Sequence, residues 1–193
     1  MQALPKKEDV TLHFVDFDGT ILDDQYRFQI DPELANYRGD SAYSYITSKY
    51  GNPDDPTGFA TFVARMDPKN HILHGTSRFF DPKNPQHIIL TAGNTSFQKE
   101  KIYAAGFGEA NKILVPNANK KPEMILLYLL KMGYIPGKIR FYDDRIENFD
   151  WYYTFFSEEL STEVEFFKAI QNSHKQTVQV EKRVADILAI TQI

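Results

Sequence analysis

Short apolar runs, each ending on polar or turn-forming residues, recur along the chain. Val10–Val15, His87–Leu90, Lys112–Val115 and Lys138–Tyr142 read as strands, with the first central and buried. Between them lie stretches with helical spacing. Thr95–Ala105 is halted by Gly106 and Gly108. Pro122–Met132 has a proline in its first turn, Met124, Leu127, Tyr128 and Leu130 inside, and Gly133 after its end. A helix-rich region is expected from Asp144 to about Ile170, with a last strand at Thr177–Val180 and a last helix over Arg183–Ile190. Alternating strands and helices predict an α/β fold, a three-layer Rossmann-like parallel sheet with helices on both faces.

From Asp31 to Pro85 the texture changes to Tyr, Pro, Gly, Asn and Asp without a long apolar period. One helix is predicted near Ser41–Tyr50, from Tyr43, Ile46 and Tyr50, and Gly51–Pro56 breaks it. Asp-Pro-Lys-Asn occurs at Asp67–Asn70 and again at Asp81–Asn84, which turn chemistry explains. The expected organisation is a core of residues 1–30 and 86–193, with 31–85 as a small cap or flap inserted between. Tyr43, Tyr45, Phe59, Phe62, Phe79 and Phe80 are expected to form the core of that insertion, and Trp151, Tyr152, Tyr153, Phe155 and Phe156 the core of the later region.

With 193 residues and 42% apolar content, the chain suits one domain of ordinary soluble composition. It lacks cysteine, so thiol nucleophiles, thiolate metal sites and disulfides are excluded. No apolar run approaches a membrane span and no signal-peptide core opens the chain, so a cytoplasmic protein without membrane partners is expected. Net charge is −4, which argues against broad nucleic-acid binding. The segment Thr91–Arg145 is nevertheless net positive and would attract a phosphorylated substrate. Lys99, Lys101 and Lys131 within it are read as solvated helix faces.

Candidate chemistry falls at strand ends: Asp16 and Asp18 after the first strand, Thr91 after the second, Asp143 and Asp144 after the fourth. In a parallel sheet such ends converge on one crevice. Buried carboxylates are rarely placed there unless paired or bound to metal. Each signal alone has a plainer reading: Asp143-Asp144 as a helix cap, Thr91 as a turn residue, the histidines His13 and His87 as strand residues without a catalytic role.

The stretch Val15-Asp16-Phe17-Asp18-Gly19-Thr20, following an apolar strand, resembles the first motif of the haloacid dehalogenase-like (HAD) phosphohydrolases. The resemblance implies Asp16 as a nucleophile forming an aspartyl-phosphate and Asp18 as general acid and base, with the Thr20 hydroxyl supporting. Thr91 resembles the second motif, holding phosphate oxygens with the backbone N–H groups of Ala92 and Gly93. Lys121, before Pro122, resembles the third, pairing with nucleophile and phosphate, with Lys120 its competitor. Asp143-Asp144 resembles the acidic fourth motif, which implies Mg²⁺ held by Asp16, the Asp18 carbonyl and Asp144, with Asp143 supporting.

The function so implied is Mg²⁺-dependent hydrolysis of phosphomonoesters on a small phosphorylated substrate. Tyr142-Asp143-Asp144-Arg145 is similar to the phosphatase half of phage-type polynucleotide kinase–phosphatases. It keeps open a polynucleotide end phosphatase or phosphotransferase acting on a phosphorylated nucleic-acid end, although Arg145 is read first as a structural partner of a nearby carboxylate. A non-enzymatic HAD-like binding module is the remaining alternative.

Overall fold

The structure, a computed structural model, describes residues 4–149 and 155–183. Six strands form one sheet: β1 (Lys6–Val15), β2 (His87–Ala92), β3 (Asn111–Val115), β4 (Ile135–Asp143), β5 (Glu163–Asn172) and β6 (Thr177–Arg183). Their order is β3-β2-β1-β4-β5-β6. All neighbours pair in parallel except β5 and β6, which form an antiparallel edge. The helices are α1 (Arg27–Ile30), α2 (Asp40–Tyr50), α3 (Phe59–Met66), α4 (Thr95–Ala104) and α5 (Lys121–Met132). Among the described residues, no helix is long and apolar enough to cross a membrane.

The sheet is apolar on both faces, as a covered parallel sheet requires. Leu12, Phe14, Ile88, Leu90, Ile139 and Phe141 pack with Ile125 and Leu129 of α5. Val15, Ile89 and Tyr142 face the other way, with Ile102 of α4 and the segment carrying Leu73, Phe79 and Phe80. Phe79 and Phe80 therefore belong to the sheet's core and not to that of the insertion.

Within the insertion, Leu34, Ile46, Tyr50, Phe59, Phe62, Val63 and Met66 make a third cluster. Its link to the sheet layer is Phe97 of α4, whose ring lies 5.3 Å from that of Phe59 and 5.7 Å from that of Tyr43. Asp31 is buried beside it and accepts hydrogen bonds from the hydroxyls of Tyr50 (2.7 Å) and Tyr45 (3.1 Å) and from Lys49 Nζ (3.1 Å). Burial alone would raise its affinity for protons; those donors outweigh it and hold the carboxyl below its ordinary range.

Two sequence expectations are corrected. The insertion contains the helix α3, whose Phe59, Phe62, Val63 and Met66 follow the i, i+3, i+4, i+7 pattern. Toward Ile170 the described residues hold short helical turns at Ile146–Phe149 and Phe155–Glu159, and the helical expectation fails from Glu163, where strand β5 begins. There Val164 and Phe166 face one layer while Phe167 and Ala169 face the other, a period of two. Of the last helix expected over Arg183–Ile190, Arg183 ends strand β6, and the rest lies outside the described residues, as do Trp151, Tyr152 and Tyr153.

One polar row crosses the sheet. His87, His13, Arg140 and Glu165 stand opposite one another on β2, β1, β4 and β5. Glu165 accepts from Arg140 Nε at 2.6 Å and from Lys182 Nζ at 2.5 Å. The His13 ring lies 4.2 Å from that of His87, and its Nδ1 is buried without a hydrogen-bond partner among the described residues. Burial, then the charges of His87 and Arg140, push the His13 pKa down to about 4. A histidine kept neutral in the folded state stabilises fully above its ordinary pKa of about 6.5 and loses that contribution as pH falls toward 4. Urea unfolding at pH 7 and at pH 4.5 should therefore show a decline in stability that is smaller in His13→Phe than in the natural chain by about 1–3 kcal/mol; equal declines would refute the assignment.

Candidate active site

The strand order reverses at β1. Chain continuations run to β2 and β3 on one side and to β4 on the other, so the carboxyl ends of β1 and β4 form a topological switch point, where α/β sheets open a crevice. Asp16 follows β1 there and Asp143 ends β4. The Asp16 backbone N–H donates to the Tyr142 carbonyl at 2.8 Å, which fixes the two strand ends side by side. The chain then turns tightly. Gly19 N–H bonds the Leu22 carbonyl, and Leu22 N–H bonds that of Phe17 (both 2.9 Å). Gly19 adopts φ +76°, and a Cβ placed on it would come within 2.9 Å of Asp144 Oδ2.

A cavity of about 200 Å³ opens at this point, and Asp16, Asp18, Thr91, Ala92, Lys121, Asp143, Asp144 and Arg145 all reach its wall. The fold thus gathers most of the sequence-predicted residues. Lys121, at the start of α5, is buried and donates from Nζ to Asp143 Oδ2 at 2.8 Å and to Asp16 Oδ1 at 3.3 Å. Lys120 instead pairs with Glu123 in solvent at 2.7 Å, so Lys121 is the lysine of the cavity.

Other residues stand differently from expectation. Gly93 is not on the cavity wall, and its N–H is occupied by the Val115 carbonyl at 2.8 Å, so it has no free donor for a phosphate oxygen. Thr20 is wholly buried away from the cavity, and its hydroxyl has no partner among the described residues. Arg145 is exposed and stands 3.9 Å from Asp144, too far for a firm pair.

Asp18 is held by residues that the sequence reading did not assign to the site. Lys101 Nζ lies 2.5 and 2.6 Å from its two carboxylate oxygens, and Gln98 Nε2 donates to it at 2.9 Å. Lys101 is 1% exposed, which overturns its reading as a solvated lysine. The signal was positional. Phe97, Gln98, Lys101 and Ile102 form the buried stripe of α4, and Lys101 lies one turn after Phe97. Burial would raise the Asp18 pKa, but the charge and hydrogen bonds of Lys101, with Gln98, overcome it and hold the carboxyl in its ionised form. Asp24, Arg27 and Tyr43 complete this side of the wall.

Asp16, Asp143 and Asp144 can each offer an oxygen to one point, all within 4.8 Å of one another. Asp143 is already engaged on both oxygens, by Lys121 and by the Arg145 N–H at 2.7 Å. Asp144, seated against Gly19, and Asp16 have oxygens to spare. Hard carboxylate donors of this kind fit a divalent cation. In the metal-free protein, burial pushes Asp16 up to about 8; Lys121 opposes this, while Asp143, Asp18 and Asp144 reinforce it. Burial and Asp143 likewise raise Asp144 to about 6.

A cation binding the ionised form must displace the Asp16 proton below pH 8. Titration with Mn²⁺ is expected to show apparent affinity rising about ten-fold per pH unit from 6 to 8 and levelling above. Gly19→Ala should weaken binding by about ten-fold or more by displacing Asp144. Affinity independent of pH over this range would refute displacement of a proton from Asp16 by the cation.

No family model matches the chain, and no curated protein matches it. Among solved structures, it is similar to a Burkholderia xenovorans protein described as a haloacid dehalogenase-like hydrolase. Identity is 15%, the TM-score is 0.57, and the match covers 86% of this chain and 84% of that one. With its six-stranded sheet, this protein has the haloacid dehalogenase-like fold.

Proposed function

We propose that the protein is a Mg²⁺-dependent phosphomonoester hydrolase working through an aspartyl-phosphate on Asp16. The observation that carries the reading is the separation of two carboxylates in one cavity. Asp16 lies with Lys121 and the acidic pair at the end of β4, while Asp18 has its own lysine and amide. Two carboxyls held in different surroundings can take different roles.

In the first half-reaction an Asp16 oxygen attacks phosphorus as the ester P–O bond breaks, and the leaving oxygen takes a proton from Asp18. In the second, water attacks phosphorus, Asp18 takes a proton from it, and the acyl-phosphate P–O bond breaks to free Asp16 and inorganic phosphate. Thr91 and Lys121 hold the phosphoryl oxygens. Asp16, Asp144 and the Asp18 carbonyl would hold Mg²⁺, whose charge keeps Asp16 ionised and offsets repulsion from the phosphate dianion.

Asp18 needs a proton for the first step, yet Lys101 and Gln98 favour its ionised form. The negative charge of an arriving phosphate raises its affinity for that proton, and the same clamp suits it to receive the water's proton afterwards. The part of the insertion built around Leu34–Met66 serves as a cap over this chemistry, seated on Phe97.

Phosphate release from 4-nitrophenyl phosphate and other monoesters should require Mg²⁺ and stop with chelator. Asp16→Asn is expected to lower kcat by about three orders of magnitude or more. Undiminished turnover in that variant would remove the covalent mechanism, and cation binding without any turnover would favour a binding module. Lys101→Met should lower kcat by about 10–100-fold in folded protein, with the pH optimum displaced upward because Asp18 loses its countercharge.

A further inference from the structure

A second cavity, of about 570 Å³, adjoins the first and shares Arg27, Tyr43, Phe97 and Arg145 with it. Its lining has two features. The first is charge: Arg27, Arg38 and Arg145 reach it, and no carboxylate does among the described residues, although the chain as a whole is acidic. The second is aromatic surface, from Phe28, Tyr37, Tyr43 and Phe97.

The arginines are incompletely satisfied. Arg27 pairs with Asp24 at 3.2 Å through one terminal nitrogen, and its buried Nε has no hydrogen-bond partner among the described residues. Arg38 forms no ion pair among the described residues, and Arg145 has only its loose approach to Asp144. Gly39 and Ala42, at the first turn of α2, also line the space, and that turn has no side-chain cap. Guanidinium groups suit phosphate oxygens, and aromatic faces suit planar rings.

We infer that this second cavity receives the leaving group of the substrate, and that the leaving group is a nucleoside carrying a further phosphate. The inference rests on the phosphomonoester reading above. The order of the two cavities favours a nucleoside over an aryl phosphate. An aryl phosphate bonds its ring directly to the scissile oxygen, so the ring would sit among Asp18, Asp24 and Lys101. A nucleoside places its polar sugar there and its base farther out, against the aromatic wall, with the second phosphate near Arg38. A free nucleotide and the end of a nucleic-acid strand present this same chemistry.

The test compares kcat/KM, with Mg²⁺, for adenosine 3′,5′-bisphosphate, adenosine 3′- and 5′-monophosphates, a 3′-phosphorylated oligonucleotide, 4-nitrophenyl phosphate and an acidic phosphotyrosine peptide. The expected result is a preference of about ten-fold or more for the bisphosphate or the oligonucleotide over the monophosphates. That ratio should collapse toward one in Arg38→Gln and be partly kept in Arg38→Lys. Whichever of the two is preferred identifies a free nucleotide or a strand end. Equal use of mono- and bisphosphates, or preference for the peptide, overturns the inference while Asp16-dependent turnover of 4-nitrophenyl phosphate leaves the reading beneath it standing. If no ester is turned over, that reading fails, and calorimetric binding of adenosine 3′,5′-bisphosphate decides the cavity alone. Binding weakened by Arg38→Gln supports it, and no binding overturns it.

Discussion

Repulsion among carboxylates crowded at the switch point between β1 and β4 is the constraint on which the rest of the structure depends. Parallel pairing brings Asp16 and Asp143 to adjacent strand ends, and the turn after Asp16 brings Asp144 up against Gly19. Such a cluster, largely removed from water, is unfavourable without positive charge. Lys121 supplies part of it from the start of α5, a position where the helix macrodipole itself disfavours a cation. That placement is explicable through the two acids it touches. The remaining imbalance appears as the tendency of Asp16 and Asp144 to keep their protons, which a bound cation would reverse.

Much of this was legible in the sequence because strand ends are legible. The apolar runs marked where each strand stops, and topology brings such stops together, so Asp16, Asp18, Thr91, Asp143 and Asp144 could be grouped although they are far apart in the chain; Lys121, at a helix start, joined them only through the resemblance of its motif. Competition between Lys120 and Lys121 could not be resolved at that level. It turns on which side of the first turn of α5 faces the cavity. Lys101 was hidden for a related reason: a lysine's burial depends on a distant partner, and Asp18 lies 83 positions away. Gly93 misled in the opposite sense. Its place beside Thr91 suggested a phosphate donor, but pairing across to Val115 uses its N–H.

Outside the site, failures of reading followed from period. The helical assignment was carried past the helical turn at Phe155–Glu159 into β5, which buries residues on both faces and so shows no simple one-sided alternation. In the insertion, the apolar stripe of α3 was present but short, set among turn residues that dominate the local composition.

Helix α4 presents Phe97 to the insertion's aromatic cluster and, within one further turn, Lys101 to Asp18. These contacts share a rigid element and cannot be varied separately. The insertion is therefore not an interchangeable module. A different one grafted at the same boundaries would have to reproduce a seat for Phe97, or the helix would lose its anchor and the carboxylate its lysine. On the reading proposed above, diversification of the substrate is channelled toward the outer cavity wall at Arg38, whose backbone N–H bonds Ser41 and not that helix.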